Sequence, residues 1–325
     1  MSGIGGFLLR RLAFALLLVV LVSSGALLLA HLAPGDYTAT LQRPGVSAAA
    51  LARERTRLGL DQPFGQQYLA WVRGVARLDL GTSFRFQRPV TELVGERAVN
   101  TAILAVVALL LATGVGLPLG VVSGSRSGPV AAAIRTASVI ALSLPPLLTS
   151  ILLALFAARS GWLPIGGMSS LGAAQLGVWG RLVDLGWHLV LPALALALPV
   201  AATLERLLSR ALAETLEEPF ILAALARGLP RRRVVWRHAL RVAIQPVAGV
   251  YGIIIGSLLS GSFAVEIVTA WPGLGELMFS ALQARDVYLV AGCAAVGSLF
   301  LACGNLLSDV GLVAADPRLR DAARS

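Results

Sequence analysis

Long apolar stretches separated by shorter polar ones dominate the pattern of this chain. Crossing the hydrocarbon core of a bilayer takes about 20 mainly apolar residues. Windows of that length without charged residues occur at six places, at 12–33, 98–125, 136–158, 185–204, 242–265 and 287–308. The pattern therefore predicts an all-α integral membrane protein with six transmembrane helices.

A seventh uncharged window, residues 160–180, differs from these six in composition. It contains six glycines and Pro164, with few aliphatic residues for its length. Because glycine and proline interrupt helices, we expect an irregular loop here, with at most a short helix. Prolines also predict kinks in the third span, at Pro145-Pro146, and in the fourth span, at Pro192 and Pro199.

The first window has an alternative interpretation as a secretory signal peptide. Its apolar run is longer than the 7–15 residues usual for such a peptide, and no A-x-A site closes it. A retained first helix is the favoured interpretation. Six spans then place both termini on the same side of the membrane.

Arginine supplies the orientation signal, since all 27 basic residues are arginine. If both termini are cytoplasmic, the inner segments carry 15 arginines and the two short outer loops carry 3. The other nine lie in residues 34–97, a segment long enough to weaken the charge rule. The arginine distribution therefore predicts that both termini are cytoplasmic.

The predicted spans divide the chain into four parts. Residues 1–33 contain the cytoplasmic N-terminus and the first helix, and residues 34–97 form a small external segment. Residues 98–313 form a transmembrane domain with spans two to six, including a cytoplasmic loop at 205–241. Residues 314–325 are a cytoplasmic tail.

The composition excludes several classes of function. The absence of lysine excludes a Walker A nucleotide site and a Schiff-base lysine. Three histidines and two cysteines are too few and too scattered for an ordinary zinc site. The net charge of +10 comes from arginines beside apolar runs, so we expect no nucleic-acid partner. We expect no catalytic residue, no metal site and no ATP hydrolysis by this chain.

The loop at 205–241 and the start of the next span contain the most specific pattern. From residue 218 the sequence reads EPFILAALARGLPRRRVVWRHALRVAIQP. Pro219 to Leu229 predicts a short Ala-rich helix, with Gly228 at a natural left-handed cap position. Its small residues would let another protein approach closely. The arginines that follow are equally typical of a solvated basic loop beside a membrane.

This loop resembles the cytoplasmic coupling loop, or EAA loop, of ABC importer permeases. In that family a short helix with small residues and a central glycine is followed about 18 residues later by proline, as Gly228 and Pro246 are here. The acidic residue that opens the family motif is replaced by Leu222. The local sequence is most similar to the dipeptide, oligopeptide and nickel permease branch, which usually has arginine at the position of Leu225 and lysine at that of Arg227.

Other segments of that branch recur in order along the chain. They are Leu9–Arg11, Ala33–Asp36, Leu58–Pro63, Asp79–Gly81, Asn100–Thr101, Trp162–Pro164, His188–Pro192, Trp271–Gly275, Asp286 and Asp316–Arg318. The resemblance covers nearly the whole chain. It implies the type I ABC importer permease fold, with six helices and a small external segment between the first and second.

The resemblance also implies partners and a location. A homologous second permease, two ABC ATPase subunits and an extracellular or periplasmic substrate-binding protein would assemble with this chain in a bacterial or archaeal cytoplasmic membrane. ATP and Mg²⁺ would bind the partner ATPases, and no cofactor would bind this chain. The cargo would be di- or oligopeptides, or nickel complexes or related small solutes.

The resemblance implies one set of site residues, and an acid near the end of the fifth span, followed by a rigid turn, suggests a second. Docking onto the ATPase is expected of the loop residues Ala223, Ala224, Ala226, Arg227, Gly228, Arg237 and His238. An outer gate or translocation path is expected at Glu266, Trp271, Pro272, Gly273 and Gly275. Within this second set we expect the Glu266 side chain to be solvated, and residues 271–275 to form a structured turn.

Two other functions are weighed against the importer permease. A stand-alone secondary transporter would need ion-coupling acids near the centres of its spans, and the six windows contain none. An intramembrane serine protease would need a base paired with its nucleophile. Neither His31 nor His188 lies in a Gly-x-Ser-x-Gly context.

Overall fold

Helices make up most of this computed structural model, which describes residues 2–42, 44 and 46–315. The α-helices are α1 (Ser2–Leu32), α2 (Tyr37–Thr40), α3 (Ala48–Arg57), α4 (Phe64–Val75), α5 (Val90–Ser125), α6 (Pro129–Ser143), α7 (Pro146–Ser160), α8 (Val178–Leu216), α9 (Pro219–Ala226), α10 (Arg231–Arg233), α11 (Leu240–Gly261), α12 (Phe263–Val268), α13 (Leu274–Ala284) and α14 (Val287–Ala315). Within the described residues, β pairing is limited to an isolated bridge between Thr82 and Pro89.

Five helical stretches are long and apolar enough to cross a membrane. They are Leu9–Leu32, Val90–Ser125, Val178–Leu216, Arg231–Val268 and Val287–Leu307. Helices α6 and α7 pass the same test only as a pair, and they are bent by 103° at the break between them. The prediction of six spans is met if this bent pair counts as one broken span.

The bend predicted at Pro145-Pro146 lies at that position, but it is sharper than a kink, because the chain there forms two separate helices. Helix α6 ends at Ser143, Leu144 is extended with φ −96° and ψ 114°, and Pro146 is the first residue of α7. A residue before proline is disfavoured in the α conformation. Two consecutive prolines apply this restriction to Leu144 and to Pro145 in turn, so the helix breaks. Helix α8 continues through its two separate prolines.

Several helices extend beyond the apolar windows that predicted them. Helix α5 begins at Val90, inside the segment assigned to 34–97, and α8 continues to Leu216, inside the segment assigned to the loop at 205–241. Only residues 217–230, which include the short α9, separate α8 from the next long helical stretch. The windows measure the apolar thickness of a span, and polar residues extend the same helix past that thickness. The prediction for 160–180 is confirmed, since residues 161–177 are irregular apart from a 3-10 turn at Ala173–Gln175.

Contacts divide the chain into two compact units. The first comprises Ile103–Trp271 with adjoining parts of α1 and α14, and the second comprises Arg10–Ala102 and Pro272–Ala302. In the first unit α8 is central, and its leucines Leu191, Leu204, Leu208 and Leu212 are fully buried. In the second unit an apolar cluster forms around Leu27, Trp71 and Ala291.

A stripe of glycines brings α5 and α8 of the first unit into close contact. Glycines at four-residue spacing on α5 (Gly116, Gly120 and Gly124) face residues at the same spacing on α8 (Ala201, Glu205 and Ser209). A Cβ atom on Gly116 would lie 2.5 Å from the Ala201 carbonyl oxygen, and one on Gly124 would lie 2.6 Å from that of Ser209. Small residues at this spacing are typical of closely packed membrane helices. Larger side chains here would force the two helices apart.

Candidate coupling and gate sites

Helix α9 carries three of the predicted coupling residues, Ala223, Ala224 and Ala226, and local sequence signals define both of its ends. Pro219 is its first residue and follows Glu218, whose backbone is extended. This is a favourable position for proline because its missing N–H would have no helical partner there. At the other end, Gly228 N–H donates to the Leu225 carbonyl at 2.9 Å and Leu229 N–H donates to the Ala224 carbonyl at 3.3 Å. With Gly228 at φ +80°, these bonds form a Schellman motif.

Only one side of α9 packs against the rest of its unit. Ile221 and Ala224, three residues apart, are buried at 0% and 3% exposure in the core of the first unit. The apolar residues exposed on the remaining surface are Phe220, Leu222, Ala223, Leu225 and Ala226. The structure therefore fixes the position of α9 with two side chains and leaves a smooth apolar surface uncovered in this chain.

The other predicted coupling residues lie along the same loop and the helical stretch after it. Arg227 and Gly228 are exposed, and a Cβ atom on Gly228 would meet nothing within 4 Å. Arg237 is exposed and His238 is half-buried, in a wide π-helical segment at Val234–Ala239. Such segments are uncommon in helices and frequent at functional sites. Ala224 differs from the rest of the predicted set, because its burial makes it an anchor of α9.

Two of the arginines assigned to inner segments cap the end of α5. The Arg135 guanidinium donates to the Ser123 carbonyl at 3.0 Å, and that of Arg231 donates to the Ser125 carbonyl at 3.1 Å. The last carbonyls of a helix lack helical partners and carry partial negative charge. These arginines therefore stabilise the end of a span, in addition to any effect they have on topology.

Within the first unit, Glu266 and Trp271 belong to one compact turn. The Trp271 N–H donates to the Glu266 carbonyl at 2.9 Å, and the Ala270 N–H donates to the Ile267 carbonyl at 3.3 Å. These bonds close α12 with another Schellman motif, in which Ala270 occupies the left-handed position at φ +47°. This conformation is unusual for a residue with a side chain, and it places a strained backbone next to the predicted gate residues.

The expectation that Glu266 is solvated is wrong. Its side chain is fully buried and accepts a hydrogen bond from the Ser262 hydroxyl at 2.8 Å. The glycine-rich loop packs nearby, since the Gly167 N–H donates to the Thr269 carbonyl at 2.9 Å. Because a Cβ atom on Gly166 would collide with the backbone of Thr269, this loop can approach the turn so closely only with glycine.

In the second unit, the predicted gate residues Pro272, Gly273 and Gly275 begin a helix. Helix α13 starts at Leu274, so the expectation of a turn through residue 275 is only partly correct. Gly273, at the cap position, has no side chain with which to bond the first N–H groups. Thr101 on α5 supplies the missing acceptor, and its hydroxyl oxygen lies 2.9 Å from the Leu274 nitrogen.

Two further contacts from α5 hold the same helix start. The Asn100 side chain donates to the Pro272 carbonyl at 2.7 Å. Arg97 and Glu276 form an ion pair at 3.2 Å. Segments some 170 residues apart in sequence thus meet, and Asn100–Thr101 is one of the short motifs noted in the sequence.

Asp286, between α13 and α14, organises another part of the second unit. Its carboxylate accepts hydrogen bonds from the Ser83 hydroxyl at 2.6 Å and the Arg85 N–H at 3.0 Å, and it caps α14 through the Leu289 N–H at 3.3 Å. Burial raises the pKa of Asp286, although these hydrogen bonds act in the opposite direction. The aspartate ties the turn around residues 83–85 to the start of the last helix.

Glu205 on α8 is a buried acid that the sequence analysis missed. It is fully buried in the first unit, where its Oε1 accepts a hydrogen bond from the Ser123 hydroxyl and its Oε2 has no hydrogen-bond partner among the described residues. The window criterion ended the fourth span at residue 204 because residue 205 is charged. The four-residue spacing of Gly116, Gly120 and Gly124 was the available signal that a closely packed helix faces this position.

Comparisons with known proteins agree over nearly the whole length of the chain. Residues 116–321 match the family described as binding-protein-dependent transport system inner membrane component. Residues 5–105 match the N-terminal family of the same transport-system membrane components.

Individual relatives match at similar coverage. The chain is 30% identical to the oligopeptide transport system permease protein AppB of Bacillus subtilis (strain 168), over 96% of this chain and 98% of that protein. It is 32% identical to the dipeptide transport system permease protein DppB of Escherichia coli (strain K12), over 97% of this chain and 98% of that protein. Among solved structures, a chain of the MetNI methionine ABC transporter in inward-facing conformations matches with a TM-score of 0.48 and 19% identity, over 67% of this chain and 96% of that one.

Proposed function

We propose that this chain forms the translocation path for peptides. It belongs to the family of inner membrane components of binding-protein-dependent transport systems. The chain is a multi-pass membrane protein and the permease subunit of an ABC importer. Curated relatives that match almost end to end are named oligopeptide and dipeptide permeases, and this supports di- or oligopeptides as cargo over nickel complexes.

Helix α9 is the element through which ATP hydrolysis would drive this permease. Its exposed apolar and small residues suit helix-in-groove packing, a common mode of recognition between proteins. The observation that carries this assignment is the one-sided burial of α9, with Ile221 and Ala224 in the core and the opposite face uncovered. Movement of a docked partner would then be transmitted through these two anchors to α8 and to the π-helical segment Val234–Ala239, which α9 contacts and which leads into α11. Ala223, Ala226, Arg227 and Gly228 would line the contact, with Arg237 and His238 at its edge.

The remaining parts of the machine would be separate chains. Two ABC ATPase subunits would bind ATP and Mg²⁺, since this chain has no lysine for a Walker A site. A homologous second permease would complete the path, and an extracellular or periplasmic binding protein would deliver the peptide. The family of inner membrane components supports a location in a bacterial or archaeal cytoplasmic membrane, and the arginine distribution supports an orientation with both termini cytoplasmic.

Glu266 and residues 271–275 would shape the outer gate. The buried carboxylate and the strained backbone at Ala270 lie within one turn. Strained backbone is often found at functional sites.

A stand-alone secondary transporter is the alternative function. The structure places Glu205 within the apolar interior of the first unit, and such a buried acid is one feature that this alternative requires. The two functions differ in energy source. Uptake by a secondary transporter depends on an ion gradient, whereas uptake by the importer depends on ATP hydrolysed by partner chains.

Purification of the tagged chain from native membranes tests the proposal. We expect a second permease, ATPase subunits and a binding protein to co-purify. In vesicles, the assembly should take up labelled di- and oligopeptides only when ATP is present on the side of the membrane where the ATPase subunits lie. Uptake driven by an ion gradient without ATP would support the secondary transporter, and uptake of nickel complexes in preference to peptides would overturn the cargo assignment.

A further inference from the structure

The glycine-rich loop between α7 and α8 joins two parts of the first unit. Near its middle it packs on the turn that ends α12, where the Gly167 N–H donates to the Thr269 carbonyl at 2.9 Å. Three residues later it is bound to α8, where the Asp184 carboxylate accepts hydrogen bonds from the Ser170 N–H at 2.9 Å and the Ser170 hydroxyl at 2.6 Å. Residues 166–170, the strap, therefore connect the turn at the predicted gate to α8.

The end of the strap that lies on the turn is closely packed. Thr269 is 1% exposed, and a Cβ atom on Gly166 would collide with the Thr269 carbonyl group. Met168 packs against the core cluster that contains Trp271. A hydrogen bond to a buried group is costly to break, because water does not replace the lost partner. The strap should therefore stay with the turn when the turn moves.

The end of the strap that lies on α8 is open to water. Ser170 is exposed, and both of its bonds to Asp184 lie near the surface. Water can replace either partner there, so these bonds break at a smaller cost. Beyond Ser170 the chain remains attached to α8, since the Arg181 guanidinium donates to the Ala174 carbonyl at 2.8 Å and to the Leu176 carbonyl at 3.1 Å. If the turn moves away from α8, the bonds between Ser170 and Asp184 are the first to break.

Asp184 belongs to the rigid part of the unit. One helical turn after it, the buried His188 donates from Nδ1 to the Asp184 carbonyl at 2.8 Å, and the same atom lies 3.6 Å from the Asp184 carboxylate. Leu189 and Leu191, which follow, are buried. The carboxylate is thus held by α8, and the strap is the part that can move.

We propose that the strap keeps the outer gate closed in the resting permease, with Asp184 as a positioning residue and its two bonds to Ser170 as the contact that opens in each transport cycle. The inference rests on the gate role proposed above for Glu266 and residues 271–275. Few and exposed bonds suit a contact that must break and form again, whereas a buried contact at this place would hold the gate shut.

Neighbouring residues supply matched control variants. Asp184→Ala removes both bonds and Ser170→Ala removes the hydroxyl bond, whereas Ser169→Ala changes the exposed serine beside it. Gly166→Ala releases the strap at its other end, because its Cβ atom forces the strap away from the turn. Gly177→Ala is the control for this variant, since a Cβ atom there meets nothing within 4 Å. If the strap acts as a closure, release at either end should have the same effect.

The first readout is the ATPase activity of the purified importer complex in vesicles without binding protein. A weaker closure raises the population of the open state, which the binding protein would otherwise promote, so ATP hydrolysis should rise in its absence. We expect Asp184→Ala and Gly166→Ala to raise this activity about tenfold, the effect of losing one hydrogen bond to a charged group. Ser170→Ala should raise it less, and the two control variants should leave it unchanged.

Cross-linking tests whether the contact must open. In a Cys303→Ser background, which removes the exposed native cysteine, Ser170→Cys and Asp184→Cys are joined by a short bifunctional methanethiosulfonate reagent. We expect ATP-driven peptide uptake to fall to background and to recover when the cross-link is reduced. Each single-cysteine variant should be insensitive to the reagent.

Uptake at the uncross-linked rate in the cross-linked complex would overturn the proposal. So would unchanged ATPase activity without binding protein in both Asp184→Ala and Gly166→Ala. A failure of the importer assignment is distinguishable from these results, because the wild-type complex would then show no ATP-driven uptake.

Discussion

Gly228 provides the sharpest test of the coupling assignment. Its φ of +80° closes α9, and a side chain there would project into open space, since a Cβ atom meets nothing within 4 Å. The left-handed conformation costs an ordinary residue about 1–2 kcal/mol. Because no clash is added within the chain, this strain is the whole expected cost of Gly228→Ala or Gly228→Trp to folding.

The two substitutions separate backbone strain from contact with a partner. Gly228→Ala and Gly228→Trp carry the same strain, which shifts a local equilibrium by about 5–30-fold at most. Only tryptophan adds bulk at the surface where the ATPase would dock. We therefore expect a moderate loss of uptake for alanine, a small loss for Gly228→Asn because asparagine tolerates this conformation, and a loss to background for tryptophan.

The assay measures peptide uptake and binding-protein-stimulated ATPase activity in vesicles, with the amount of chain in the membrane fraction as the measure of insertion. Gly161→Trp is the matched control, because Gly161 also has a left-handed backbone (φ +67°) with nothing within 4 Å of its Cβ position, at the end of α7. We expect Gly161→Trp to retain uptake. Wild-type uptake in Gly228→Trp, or an equal loss in Gly161→Trp, would refute the reasoning.

Three further predictions concern stability, each measured by unfolding in detergent. Ser123→Ala should lower the free energy of unfolding by about 1–3 kcal/mol because it leaves the Glu205 carboxyl without a partner. Adding Glu205→Leu to this variant should recover most of the loss. If the losses from the two substitutions instead add, the pairing of Ser123 with Glu205 is contradicted. Gly116→Leu should destabilise by about 1–3 kcal/mol through overpacking against Ala201, whereas Gly114→Leu should be neutral. Burial raises the pKa of Asp286, so the folded protein binds the carboxyl proton of Asp286 more tightly than the unfolded chain does. The free energy of unfolding should therefore fall as pH rises from the ordinary carboxyl pKa of about 3.9 toward the raised pKa. Asp286→Asn should remove that slope, and an unchanged slope would assign it to another group.

The buried acids bear on how a moving permease keeps its helices together. Glu205 lies on α8 opposite Ser123 of α5, at the point where glycines allow the two backbones to meet. In hydrocarbon, a polar pair of this kind holds helices together because neither partner can turn to water. We expect α5 and α8 to move as one body during transport, with α9 attached to α8 through residues 217 and 218.

Apolar windows and turn residues in the sequence determined the class of fold, the short helix α9 and its left-handed cap. These features depend on neighbours in sequence: a run of apolar residues sets the length of a span, and Gly228 is the residue that most easily adopts a positive φ. The irregular loop at 161–177 was predictable for the same reason.

Contacts between distant segments decided the rest. Charge alone ended the fourth span at residue 204, yet α8 continues and buries Glu205 because glycines on α5 make room for it and Ser123 bonds it. The separation of Ala224, which anchors α9, from exposed Ala223 depends on which side of the helix meets the core. The sequence marks which residues can enter a membrane or end a helix; the tertiary structure decides which polar groups find partners there, because those partners come from elsewhere in the chain.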